Sequence, residues 1–253
     1  SRLNPAQREN FNKAYSKVNE EFRRAYPNMA EQDKMKWKYQ RYMQDYLGTI
    51  KAVDENVGRL LDYLEANHLM DNTIIVYTSD QGFYLGEHGW FDKRFMYEES
   101  FRTPMVMRYP GVIKPGTENN NLLMNLDIAP TLLDAASVVA PDDMQGESFL
   151  PLLTKENAKG RKAMYYHYYE NGEHSVSPHF GISTGRYKLI RFYKRVESWE
   201  LYDLQNDASE MKNLYGNKKY KKLTEKLKIE LLQLINLYDD KEAEKIFTEK
   251  IKE

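Results

Sequence analysis

The sequence predicts a mixed α/β protein: a helix-flanked sheet first, then a small antiparallel sheet with a helix. Three observations carry this. Tyr42, Met43, Tyr46, Leu47, Ile50, Val53, Val57, Leu60, Leu61 and Leu64 fall at three- and four-residue steps, the period of one helix face. Directly after them, Thr73-Ile74-Ile75-Val76-Tyr77 is short, β-branched and apolar, as parallel strands covered on both faces tend to be. Beyond residue 163, short aromatic runs alternate with turn residues, the pattern of a small antiparallel sheet.

In chain order, residues 1–30 are polar and weakly patterned, with prolines at 5 and 27. A long helix begins near Glu31 and ends at Asn67-His68. Asp71-Asn72 makes a turn into the strand 73–77, and helix followed by strand is half of a βαβ unit. Met96–Ser100 is a short helix, and Thr103–Tyr109 a strand closed by Pro110-Gly111. Pro115-Gly116 turns the chain. Asn125–Ala136 is a helix, with Asp127 expected at its N-cap and Pro130 near its first turn. The character changes after Leu153, so the expected domains are 1–153 and 154–253. The second holds strands at 163–170, 180–184, 187–193 and 200–202. Leu223, Leu227, Leu231, Leu234, Ile235 and Tyr238 mark a last amphipathic helix. The Lys218-Lys219 and Lys221-Lys222 cluster reads as its solvated start.

Composition narrows the function. The 253 residues are 41% hydrophobic and 30% charged, with a net charge of −1, so no field of one sign draws a polyanion such as nucleic acid to the surface. No apolar run approaches the roughly 18 residues of a membrane span. There is no cysteine, which removes disulfides, thiolate metal sites and a cysteine nucleophile from these residues. Twenty tyrosines suit a carbohydrate-facing surface, but amphipathic rings also commonly fill half-buried positions.

The densest chemistry lies in Thr78–Lys93, which holds three glycines, three acids, a histidine and a lysine. In α/β sheets ligands bind beyond the carboxyl ends of strands, where Asp80 falls. Asp80 and Gln81 offer oxygen ligands to a hard divalent cation. Gly82, Gly86 and Gly89 let the backbone approach a ligand closely. Lys93 can neutralise an anion as a compact point charge. Together these suggest metal-assisted attack on a sulfuryl or phosphoryl centre. Taken singly, each has an ordinary reading: an Asp after a strand as cap or turn residue, an isolated lysine as a solvated charge, spaced glycines as a plain loop.

In order along the chain, the motifs resemble the C-terminal part of the formylglycine-dependent sulfatases, which have an alkaline-phosphatase-like fold. Asp71–Lys93 resembles that family's strand, its Ser-Asp-(Asn, His or Gln)-Gly turn and its Gly-Glu-His-Gly loop. Lys93–Glu98 is similar to its Lys-x-x-x-Tyr-Glu. Arg102–Thr117 resembles its Arg-x-Pro strand, and Asn125–Ala136 its Asp-x-x-Pro-Thr helix. Arg186–Ile190 and Trp199–Tyr215 are similar to its C-terminal Tyr-Lys-x-Ile and Glu-Leu-Tyr-Asp-Leu segments. The resemblance runs from Tyr46 to Tyr215 and is nearest to enzymes acting on sulfated sugars, such as N-acetylglucosamine-6-sulfatases and iduronate sulfatases.

This resemblance implies a sulfuric ester hydrolase whose fold is a mixed sheet flanked by helices, with the small C-terminal sheet appended. Asp80 and Gln81 would be two ligands of Ca²⁺, and Lys93 would bind a sulfate oxygen. His88 could touch sulfate or the leaving oxygen. His179 and His174 are candidate substrate contacts, with capping of a turn the ordinary alternative. Arg102, Tyr97 and Glu98 would position loop and strand. The formylglycine nucleophile comes from a Cys/Ser-x-Pro-x-Arg motif that Ser175-Val176-Ser177-Pro178 does not fit. The nucleophile and the remaining metal ligands are therefore expected in an upstream half of the same protein. The implied partners are that half and a sulfated carbohydrate, and the implied setting is periplasmic, secreted or lysosomal. Two other readings stay open: a metal-dependent phosphohydrolase of the same fold, and a non-catalytic sugar-binding module.

Overall fold

The computed structural model describes residues 2–155 and 157–248, in two units, residues 1–70 and 71–253. In the first unit, the stretch read as weakly patterned is helix α1, Pro5–Ala25. Asn4 Oδ1 accepts from Gln7 N at 2.9 Å, and Asn4 N donates to Gln7 Oε1 at 3.0 Å. With Pro5 in the first turn this is a complete capping box, legible as Asn-Pro-x-Gln in the sequence. Helix α2 is Glu31–Ala66, beginning where expected and extending eleven residues ahead of its apolar period at Tyr42. Phe22 of α1 stacks on Trp37 of α2 with ring centroids 4.1 Å apart. Lys34 and Lys38 lie over the Tyr26 ring between the two helices. Leu47, Ile50, Val53 and Leu60 of the α2 stripe remain exposed.

The second unit starts with β1, Ile75–Thr78. A two-residue ribbon follows, β2 (Tyr84–Leu85) with β3 (Phe91–Asp92), then the single helical turn α3, Glu98–Phe101, and β4, Met105–Arg108. β1 pairs antiparallel with β4, from Ile75 opposite Arg108 to Thr78 opposite Met105. The expectation of a parallel strand covered on both faces is corrected here. A β-branched apolar run reports a pleated, half-buried surface and not a strand direction. Facing residues Tyr77 and Val106 are 46% and 66% exposed.

A 3-10 turn at Asn125–Asp127 runs into α4, Ile128–Ala135, and α5 is Leu150–Thr154. Asp127 stands at the N-cap position of α4, as expected, but its side chain caps none of that helix's N–H groups. It sits three residues into the turn, 1% exposed, and its carboxylate accepts from Met124 N, Glu147 N and both Arg161 prongs at 2.6–2.9 Å. Four hydrogen bonds from three residues satisfy a buried charge that a cap alone would not.

The C-terminal sheet has the order β5-β6-β7-β8 (Met164–Tyr168, His179–Ser183, Tyr187–Phe192, Ser198–Asp203), antiparallel throughout. Its period of two separates two buried faces. Phe180, Ile182, Leu189, Trp199 and Leu201 pack with Leu227, Leu231 and Ile235 of α6, Lys221–Leu237. Ile190, Phe192 and Tyr202 pack on Tyr84, Met96 and Tyr97, so the other face carries the ribbon and the approach to α3. A Cβ on Gly181 would come within 2.7 Å of Met96 Sδ, which is why this strand position is open.

Helix α7, Lys241–Thr248, was not read from the sequence. Asp240 caps it, Oδ1 accepting from Ala243 N at 2.9 Å. Its Oδ2 accepts from Tyr165 and Tyr169 hydroxyls at 2.8 and 2.7 Å and from His167 Nδ1 at 2.5 Å. His167 Nε2 lies 2.7 Å from the Tyr193 hydroxyl, so one cluster fastens α7 to β5 and to the residue that follows β7.

Candidate functional site

β1 ends at Thr78, and Ser79-Asp80-Gln81-Gly82 turns away beyond it. Ser79 Oγ donates to Gln81 O at 2.9 Å and stands 3.3 Å from Asp80 Oδ1. Gly82 is required by close approach: a Cβ there would meet Glu99 O at 2.1 Å and Arg102 O at 2.9 Å. Its N–H donates to Ser100 O at 2.8 Å. Asn125 Nδ2 donates to Asp80 O at 2.6 Å, fixing the turn from the other side. The backbone is thus held, while the Asp80 carboxylate is exposed and the Gln81 side chain bonds no described residue. A carboxylate beside an amide oxygen, with little else to satisfy, suits a hard cation such as Ca²⁺.

The β2–β3 ribbon pairs Tyr84 with Asp92 and Leu85 with Phe91. Its loop turns through Gly86, His88 and Gly89 at φ of 120°, 54° and 76°. His88 is half-buried, stacked on Tyr97 (centroids 4.9 Å) and Trp90 (5.6 Å). Its Nε2 lies 3.5 Å from Glu99 Oε2. Among the described residues no hydrogen bond or ion pair joins it to Asp80, Gln81 or Lys93.

Lys93 follows the ribbon between Asp92 and Arg94, at φ of 83° and 106°. It is half-buried and makes no ion pair or hydrogen bond with a described residue. The next peptide is tied down: Arg94 N donates to Ser100 Oγ at 2.8 Å. Ser100, 4% exposed, therefore holds the Asp80-Gln81 turn through its carbonyl and the Lys93 loop through its hydroxyl.

The neighbouring motif residues are structural. Tyr97 donates to Glu200 Oε2 at 2.7 Å. Glu98 N donates to Glu210 Oε2 at 2.7 Å, and Lys188 Nζ stands 2.8 Å from carboxylate oxygens of both Glu98 and Glu210. Lys188 is fully buried. Burial pushes the Glu210 carboxyl above its usual range although Lys188 opposes this.

The two remaining histidines part company. His179 in β6 is 0% exposed, its Nδ1 donating to Ser177 O at 2.8 Å. Phe95, Tyr166, Tyr168 and Phe192 surround it, and burial pushes it down to about 4, so the ring is neutral at pH 7. As placed, it contacts the Lys93 loop through Phe95 and has no surface to offer a sugar. His174 is solvent-facing in the loop after β5, with Nε2 3.5 Å from Glu170 Oε1. Asp80, Gln81 and Lys93 are thus gathered on one anchor, and His88, His174 and His179 are not on it. Sequence reasoning missed Ser100, Asn125 and Tyr166, whose roles are hydrogen bonds to the backbone of other segments.

The chain matches the family model "Sulfatase" over residues 8–138 and "N-sulphoglucosamine sulphohydrolase, C-terminal" over residues 86–249. It is 56% identical over 203 residues to an N-acetylglucosamine-6-O-sulfatase of Bacteroides thetaiotaomicron, covering 79% of this chain and 36% of that one. It is 36% identical over 182 residues to an arylsulfatase of Clostridium perfringens, covering 70% of this chain and 36% of that one. A solved structure in complex with its substrate, D-glucosamine-2-N,6-O-disulfate, superposes with a TM-score of 0.88 at 48% identity, covering 96% of this chain and 50% of that one. The chain therefore spans about a third of the length of these curated relatives and half of the solved chain.

Proposed function

The chain belongs to the sulfatase family, and on that premise we propose that it carries part of the active site of a sulfuric ester hydrolase acting on 6-O-sulfated glucosamine units of glycans. The observation that carries this is the shared anchor. Ser100 holds the Asp80-Gln81 turn and the Lys93 loop together, while the Gln81 and Lys93 side chains bond no described residue and the exposed Asp80 carboxylate meets only the neighbouring Ser79 hydroxyl among them. Asp80 and Gln81 would hold Ca²⁺, which when bound offsets negative charge on the sulfate oxygens. Lys93 sets an ammonium against the same group, and its attraction grows as charge moves onto those oxygens. The nucleophile, a formylglycine, and the remaining metal ligands come from an upstream half of the same protein.

In this reading residues 1–153 continue the catalytic domain and 154–253 form the smaller subdomain. His88 braces the ribbon loop that leads to Lys93 and stays a candidate contact for the sulfate or the leaving oxygen. His174, solvent-facing, is the better placed of the two substrate candidates, and His179 acts through Phe95. The parent meets its glycan outside the cytoplasm, in a periplasmic, secreted or lysosomal setting. No helix among the described residues is long and apolar enough to cross a membrane.

Paired esters test the proposal. The full-length protein is given N-acetylglucosamine 6-sulfate and the matching 6-phosphate, each with and without a calcium chelator. Release of sulfate well above phosphate, lost on chelation and restored by Ca²⁺, is expected. Faster release of phosphate would mean a phosphohydrolase, and sugar binding without release of either would mean a binding module.

A further inference from the structure

Lys93 is carried on a backbone that is unfavourable on both sides. Asp92 and Arg94 have φ of 83° and 106°, where a residue with a Cβ rarely sits. Such conformations persist only where the surroundings over-determine them, and they cluster at ligand clamps. Here the surroundings are specific. The Asp92 and Arg94 side chains pair with each other across Lys93. Ser100 Oγ takes the Arg94 N–H at 2.8 Å, and the Tyr166 hydroxyl donates to Arg94 O at 2.7 Å. Both backbone hydrogen-bonding groups of Arg94 are thereby engaged, one from α3 and one from β5.

Tyr166 is itself well held. Its ring meets Phe101 edge-on at 5.6 Å and lies 5.7 Å from the His179 ring. Burial raises its phenol to about 12, so the hydroxyl keeps its proton and remains a donor at neutral pH. Without that bond one of the two restraints on Arg94 is lost, and its φ is free to relax toward an ordinary value, shifting the chain on either side of it.

We propose that Tyr166, from the C-terminal sheet, is a positioning residue for Lys93, holding the strained Arg94 peptide so that the lysine ammonium faces the sulfate group. This rests on the reading of Lys93 as the sulfate-binding group. A purely packing role for Tyr166 makes a different prediction, because phenylalanine preserves the ring and removes only the donor.

A double-mutant cycle in the full-length protein separates them, using wild type, Tyr166→Phe, Lys93→Ala and the double variant on N-acetylglucosamine 6-sulfate, with thermal unfolding of each. Tyr166→Phe is expected to lower kcat about 10-fold with little change in KM, since a misaligned group costs transition-state stabilisation more than ground-state binding. In the Lys93→Ala background the same change is expected to have no further effect. Ser100→Ala, which removes the opposite clamp, is expected to show the same non-additivity. Unchanged turnover in Tyr166→Phe, or an equal fall in both backgrounds, overturns the positioning role while leaving the Lys93 reading intact. Full activity of Lys93→Ala alone overturns both.

Discussion

Lys93 and Lys188 show how one residue type takes opposite parts within one family signature. Lys188 is fully buried between Glu98 and Glu210, whereas Lys93 has no carboxylate among the described residues. Lys188→Ala leaves Glu210 buried without its cation and is expected to destabilise the protein by about 3–5 kcal/mol, read by denaturant unfolding. A loss under about 1 kcal/mol would show that the cluster is far better solvated than its burial indicates. Gly82→Ala is a second test at this scale. A methyl placed 2.1 Å from Glu99 O must displace the turn, so a cost of about 1–3 kcal/mol and weakened Ca²⁺ binding are expected by calorimetry of the full-length protein. Asp80, Gln81 and Lys93 stand out as candidates because their order and the three glycines between Gln81 and Lys93 are written locally. Ser100 and Tyr166 were not, since a serine six residues and a tyrosine 72 residues from Arg94 carry no mark of a hydrogen bond that only folding creates.

Among elements, periodic ones were readable and those defined by a cap or a partner were not. The α2 helix carries a regular apolar period although none of its residues is buried, and the four C-terminal strands follow theirs because each buries a face. The sign of α1 in the sequence is its capping box. α7 depends on Asp240 and the His167 cluster, which no local pattern announces. That cluster predicts acid lability. Burial pushes His167 below its usual range, more than Asp240 and Glu242 raise it and in the same sense as Lys194. A depressed histidine means that the unfolded chain takes up the proton first. Stability is then full above about pH 6.5 and falls as the pH drops through that value toward the folded pKa. Burial alone would raise Asp240, but hydrogen bonds from His167, Ala243 N, Tyr169 and Tyr165 outweigh it and hold it at about 2. Its contribution is present above about pH 4 and lost as the pH falls toward 2. A melting series from pH 7 to 5 should therefore show a shallower decline in His167→Gln than in wild type, and parallel curves would contradict the assignment. On the same face of that sheet, Leu231→Ala removes a side chain with no exposure from between α6 and the strands and should cost about 2–5 kcal/mol.

For the molecule as a whole, the C-terminal sheet is as much a support for the site as a domain of its own. Helices α6 and α7 cover one face, and the other holds Met96, Tyr97 and Phe95 behind Lys93. The sequence showed this sheet but not its second buried face, because alternation reveals a covered face without naming what covers it. Residues 1–253 by themselves are expected to release no sulfate, since in this account the nucleophile is upstream; turnover by the purified chain would sink that assignment. The most direct test of the central claim is kcat/KM of full-length Lys93→Ala on N-acetylglucosamine 6-sulfate, measured beside its thermal unfolding. The account predicts a fall of about 100-fold or more with an unchanged melting temperature, as removal of a charge-stabilising donor typically produces. Wild-type turnover, or a loss that merely follows lowered stability, would contradict it.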